Sequence, residues 1–116
     1  MEKVYDLEDR TFEFAKSIIK FVNIIPKTLA NVEVSKQLIR SGGSVGANYI
    51  EANEALSKKD FIYRIKLCRK EAKETTYWIK LIEVISKFEI EKNNLIKESI
   101  ELTNIFGAIY RKTSHD

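Results

Sequence analysis

The chain has 116 residues, 44% of them hydrophobic and 32% charged, with one proline and four glycines. That length supports one domain, residues 1–116, with a core that needs no metal or disulfide, and the composition excludes a disordered tail or a turn-rich β-sandwich. Twenty basic against 17 acidic side chains leave a net charge of +3, which permits contact with nucleic acid without demonstrating it. Cys68 is the only cysteine, so neither an intramolecular disulfide nor a thiolate metal cluster can form within the chain, and a reducing cytoplasm fits best. The opening residues Met1–Asp6 show no apolar export core, and no run approaches the ~18 apolar residues of a membrane span. No membrane partner is expected.

Leu7, Thr11, Phe14, Ile18, Phe21 and Ile25 advance by fours and threes, the spacing that lines one side of a helix. The predicted first helix covers about residues 8–25. Asp6 and Asp9 place negative charge at its start, and Pro26 stops it.

Asn31 is the expected N-cap of a second helix, whose stripe is Val34, Leu38, Ser41, Val45, Asn48, Ala52 and Ala55. Within it lies Ser41-Gly42-Gly43-Ser44-Val45-Gly46-Ala47, where each helical glycine costs ~1 kcal/mol relative to alanine. The pattern continues on both sides, which favours helix over loop, and the small residues offer a smooth surface to another backbone. A phosphate-cradling loop is excluded, because no strand precedes the glycines and no Gly-Lys-Ser/Thr follows them.

Ser57 and Asp60 have capping-box spacing and open a third helix. Its main stripe is Phe61, Ile65, Cys68, Ala72, Thr75, Ile79 and Ile82, and a neighbouring one holds Arg64, Leu67, Glu71, Glu74, Trp78, Leu81, Ile85 and Phe88. Two buried edges imply contacts with more than one helix. A fourth helix, about residues 91–112, carries Leu95, Ser99, Leu102, Phe106 and Ile109. Short links favour antiparallel neighbours, so the expected fold is all-α: an antiparallel up-down-up-down four-helix bundle.

Bundles often house paired metals, and Glu51, Glu54, Glu71 and Glu74 supply carboxylates, but the Glu-x-x-His motifs of such sites are missing and the lone histidine is His115. No metal and no cofactor is expected. No nucleophile, oxyanion donor set or cofactor loop accompanies the carboxylates, so the sequence argues against an enzyme. Cys68, between Ile65 and Ala72 on the apolar stripe, reads as an inert core thiol. Polar residues on inward faces need partners, which predicts an ion pair from Arg40 to Glu74 or Glu71 and a bond from Asn48 across helices, a network that fixes helix register or subunit pairing, with a ligand site as the less favoured alternative.

Along the third helix Lys66, Lys70, Lys73, Lys80 and Lys87 recur at three-, four- and seven-residue steps beside Arg69, away from the Phe61/Trp78 side. This basic ridge is the candidate nucleic-acid-binding surface: it would give salt-sensitive, largely sequence-independent binding. Weighed against it is a solvated face that only keeps the protein soluble. Tyr63 and Tyr77 could stack on bases or cover a core rim.

The segments Gln37-Leu38-Ile39-Arg40-Ser41, Ser44 to Ala52, Asp60-Phe61, and Glu71-Ala72-Lys73-Glu74-Thr75-Thr76-Tyr77-Trp78 resemble four-helix-bundle proteins related to those encoded within intervening sequences of bacterial 23S ribosomal RNA genes. The resemblance runs from Leu7 to about Ile109. It implies an antiparallel four-helix bundle and self-assembly into a ring-shaped homopentamer, in which the small face around Gly42, Gly43 and Gly46 would lie between subunits. A related branch, accessory proteins of diversity-generating retroelements, consists of similar basic barrels that bind nucleic acid and a reverse transcriptase. Arg40, Ser44, Asn48, Glu51 and Glu74 match the family's recurring polar positions and carry over as structural or interface residues. Two functions follow as expectations: an oligomeric, sequence-tolerant RNA- or DNA-binding accessory protein, or a protein-interaction scaffold with no nucleic-acid role.

Overall fold

Helix formation begins at the first of the residues that the computed structural model describes, 6–115; the Met1–Tyr5 segment, expected to hold no apolar export core, lies outside them. The Asp6 carboxylate accepts the Glu8 N–H at 2.9 Å, and α1 runs Leu7–Ile24 with Glu8 and Asp9 in its first turn. Ile25 is extended, as a residue before proline must be, and the Lys27 ammonium donates to the Val22 carbonyl at 3.3 Å in the last turn.

Helix α2, Leu29–Asn53, starts before the expected cap. Thr28 is the N-cap, its hydroxyl accepting the Asn31 N–H at 3.1 Å. Asn31 lies inside the first turn, is buried, and does something else: its amide donates to the Pro26 carbonyl at 3.0 Å and the Glu83 carbonyl at 2.8 Å, while its oxygen accepts the Glu83 N–H at 3.1 Å. One side chain therefore ties the α1–α2 link to the α3–α4 link and satisfies backbone groups that neither link could pair locally.

The helix continues through all its glycines, none of which has a positive φ. Gly42 and Gly46 face α1 of the same chain, which corrects their placement between subunits. A Cβ on Gly42 would overlap Ile18, and one on Gly46 would stand 2.9 Å from the Thr11 hydroxyl oxygen. Gly43 alone faces outward, with nothing within 4 Å of where its Cβ would be.

Ser57 caps α3, Lys58–Leu81, by accepting the Asp60 N–H at 3.1 Å. Ile85, Phe88 and Lys87, which periodicity places on this helix, lie beyond it in a link that contains a single 3-10 turn, Ser86–Phe88. Helix α4, Glu89–Ser114, follows directly. Lys92 donates to the Ile82 carbonyl at 2.7 Å and so closes the end of α3.

Side-chain pairs show how the helices run. Thr11 and Ile18 meet Gly46 and Gly42; Asn31 and Arg40 meet Glu83 and Glu74; Thr76 and Ile82 meet Ser99 and Lys92. In every pairing one number rises as the other falls, so successive helices are antiparallel. Arg10 closes the bundle by a two-pronged bond to Glu98 of α4, at 2.7 and 2.8 Å, and the Glu98 hydrogen bond raises the Arg10 pKa above its ordinary value. Phe14, Ile18, Phe21, Leu38, Val45, Ile65, Ile79, Leu102 and Phe106 fill the core. Two hydroxyl pairs cross it: Ser41 and Thr75 at 2.9 Å between α2 and α3, and Thr76 and Ser99 at 2.6 Å between α3 and α4.

Candidate nucleic-acid interface

Helix α3 places the basic ridge by simple periodicity. Ile65, Cys68, Ala72, Thr75 and Ile79 are buried at alternating three- and four-residue steps, which turns Lys66, Lys70, Lys73, Tyr77 and Lys80 outward. All five are exposed, as are Arg69 and Tyr63. None of Lys66, Arg69, Lys70, Lys73 and Lys80 has a carboxylate within 4 Å among the described residues, whose ion pairs involve Arg10, Lys36, Arg40 and Arg64. The charge on this face is uncompensated locally.

The surface around these cations is concave. One hollow of about 470 Å³ is lined by Tyr63, Lys66, Leu67, Arg69, Lys70 and Lys73. A second of about 470 Å³ lies against α4 and is lined by Arg69, Lys73, Thr76, Tyr77 and Lys80 together with Ile100, Thr103 and Asn104. Arg69 and Lys73 border both, so the hollows form one run along the helix. Gly107 of α4 lies beside the Arg69 side chain, where a Cβ would make ordinary contact with the guanidinium at 3.4 Å. Lys66 lies over the Tyr110 ring at 5.8 Å. The ridge ends at Lys80, since Lys87 belongs to the 3-10 turn.

The second polar group sits elsewhere, on the α2–α3 seam. Arg40 donates to Glu71 at 3.3 Å and to Glu74 at 3.5 Å, and Glu71 is the more buried of the two acids. Ser44 donates to the Arg40 carbonyl at 2.7 Å. Asn48 does not bond across helices; it donates to the Ser44 carbonyl at 2.9 Å, because a helical carbonyl four residues back lies within its own reach. Glu51 is exposed and has no ion-pair partner among the described residues. The polar positions of α2 thus form a ladder along one helix, Arg40 to Ser44 to Asn48, attached to α3 only at its Arg40 end.

Among the described residues no group of three or more His, Cys, Asp or Glu side chains is placed to hold a metal ion, so Glu51, Glu54, Glu71 and Glu74 do not converge. Cys68 is fully buried, and that burial pushes its thiol up to about 12, away from the reactive thiolate. A crevice of about 360 Å³ between α1 and α4 has an apolar floor of Phe14, Phe21 and Leu95 with Lys20 and Glu91 at its edge. No helix of the described residues is long and apolar enough to cross a membrane.

Sequence reasoning did not find Asn31 as a link clamp or the Arg10–Glu98 bond. Each depends on a residue more than 50 positions away, 52 for Asn31–Glu83 and 88 for Arg10–Glu98, beyond the reach of local periodicity.

The comparisons agree with the fold. No protein of curated function matches the chain. A solved structure of a protein of unknown function from Bacteroides thetaiotaomicron, of the S23 ribosomal protein family, is 32% identical; the match covers 90% of this chain and 98% of that one, with a TM-score of 0.72. The family profile described as 23S rRNA-intervening sequence protein matches residues 4–108. With four antiparallel helices in place and nearly the whole length matched, the chain belongs to the 23S rRNA-intervening sequence protein family.

Proposed function

We propose that this chain is a non-catalytic, self-associating accessory protein of the cytoplasm that binds RNA or DNA with little sequence preference through α3. The observation that carries the reading is the row of five locally unpaired cations, Lys66, Arg69, Lys70, Lys73 and Lys80, around two connected hollows. Each cation that meets a phosphate releases counterions, and contacts of this kind position a strand without reading bases. Self-association is supported by a shallow apolar groove on the opposite pair of helices, lined by Phe12, Ala15, Gly43, Ala47 and Ile50, where Phe12 is 60% and Ile50 53% exposed. Assembly into the homopentameric ring that the family resemblance implies would repeat the ridge around one particle and raise its effective affinity.

The test is binding of purified protein to mixed RNA and DNA fragments across a salt series, with particle mass measured on the same sample. Engagement of about four phosphates per subunit predicts a log–log salt slope near −3, and Lys66→Glu/Lys70→Glu/Lys73→Glu abolishes the binding without lowering the mass. Absence of binding at low salt by an intact oligomer overturns the reading. The second function, a scaffold for another protein, would then be favoured.

A further inference from the structure

Resting on that reading, we infer that the ligand is single-stranded nucleic acid, with unpaired bases stacked on Tyr63 and Tyr77 and its backbone along the lysines between them. A tyrosine at a core rim covers its ring with neighbours, yet Tyr63 is 55% and Tyr77 58% exposed. Each stands in one of the two hollows, among cations rather than against apolar side chains alone.

Both rings are braced by a neighbour. The Arg64 guanidinium lies over one face of the Tyr63 ring, 5.7 Å from its centre, and the Trp78 ring, packed against the core, meets Tyr77 at 5.0 Å in an edge-on arrangement. A braced aromatic loses less rotational freedom when a base stacks on it, which leaves more of the stacking energy for affinity.

The spacing also fits a strand. Tyr63 and Tyr77 lie about four helical turns apart on one face, roughly 21 Å at the α-helical rise, which is about six nucleotides of stacked single strand. Lys66, Lys70 and Lys73 occupy the interval, and Lys80 continues it. Asn104, exposed beside Tyr77, adds an amide able to meet a base edge. A duplex keeps its base faces inside its own stack and can engage the lysines only, so the paired tyrosines distinguish the two ligands.

The experiment uses fluorescent oligouridylate, oligodeoxyuridylate and a mixed-sequence duplex of equal length, with wild type, Tyr63→Leu, Tyr77→Leu and Lys66→Gln/Lys70→Gln/Lys73→Gln, each checked for helical content. The expected result is that wild type prefers the single strands, that each tyrosine variant loses roughly tenfold or more in single-strand affinity with an unchanged salt slope, and that duplex binding is unaffected by either. A difference between the two homopolymers at equal tyrosine dependence assigns the sugar preference and supports the inference. Tyrosine variants that bind single strands as wild type does overturn it, and if the lysine variant still weakens every ligand, the charge-based reading survives alone. Wild type that binds none of the three at low salt removes both.

Discussion

Three glycines in one helix give a sharp test of how α1 packs on α2. A Gly→Ala change inside a helix stabilises by about 1 kcal/mol from backbone entropy, other things equal. At Gly43 nothing in the same subunit lies within 4 Å of the new Cβ, so within the subunit the variant keeps that full gain of about 1 kcal/mol. At Gly46 the Cβ would stand 2.9 Å from the Thr11 hydroxyl oxygen and 3.2 Å from its Cβ. Thr11 is buried, and its hydroxyl is bonded to the Leu7 and Glu8 carbonyls at 2.9 and 3.0 Å, so it cannot swing aside without breaking those bonds. The backbone of α1 must move instead, and overpacking of that kind costs about 1–3 kcal/mol. Gly46→Ala therefore ends at best neutral and at worst about 2 kcal/mol down. Gly42→Ala falls between, because its Cβ meets only the end of the Ile18 side chain. Urea unfolding at fixed slope reads the order directly from the midpoints: Gly43→Ala highest, Gly42→Ala intermediate, Gly46→Ala lowest. A Gly46→Ala protein as stable as Gly43→Ala refutes the close approach of the two helices.

Two further outcomes follow from buried polar groups. In Asn31→Asp, nearly isosteric, the new carboxylate would face the Pro26 and Glu83 carbonyls that the amide now donates to; stability at pH 7 should fall by about 2 kcal/mol or more, and part should return as acid protonates the carboxylate and restores a donor. Equal midpoints for variant and wild type at pH 7 would show that the clamp contributes nothing. Cys68 keeps its proton up to about pH 12 when folded but loses it near 9.0 when exposed. The unfolded state thus binds fewer protons in this window, and its share of stability, complete below pH 9.0, drains away as pH rises, at about 1.4 kcal/mol per pH unit. Stability-versus-pH curves for wild type and Cys68→Ala should converge above pH 9.0; parallel curves would place the thiol in contact with water.

How much of this was legible depends on the range over which each feature is encoded. The Ser57–Asp60 cap, the Pro26 stop and the α3 stripe are written within a few residues, and the structure repeats them nearly to the residue. The basic ridge was legible for the same reason: once Ile65, Cys68 and Ala72 face inward, helical geometry sends Lys66, Lys70 and Lys73 outward. Asn31 misled because it has the composition of a cap and sits beside one; Thr28 takes that role, and the partner that explains Asn31 is at Glu83. The glycines announced a close approach but not which backbone made it. Likewise the second hollow needed Ile100, Thr103 and Asn104 of α4, and no local pattern shows which α4 side faces Arg69.

The hydroxyl pairs of Thr75 and Thr76 bear on how the ridge can behave when it is engaged. These neighbouring residues point to two different flanks of α3, one bonded to Ser41 and the other to Ser99. Rotation of α3 about its axis would break at least one pair, and sliding would break both. The helix is keyed on two sides like a shaft in a slot. A ligand on Lys66 to Lys80 therefore meets a fixed row of Cα positions, and only the lysine and arginine side chains adjust.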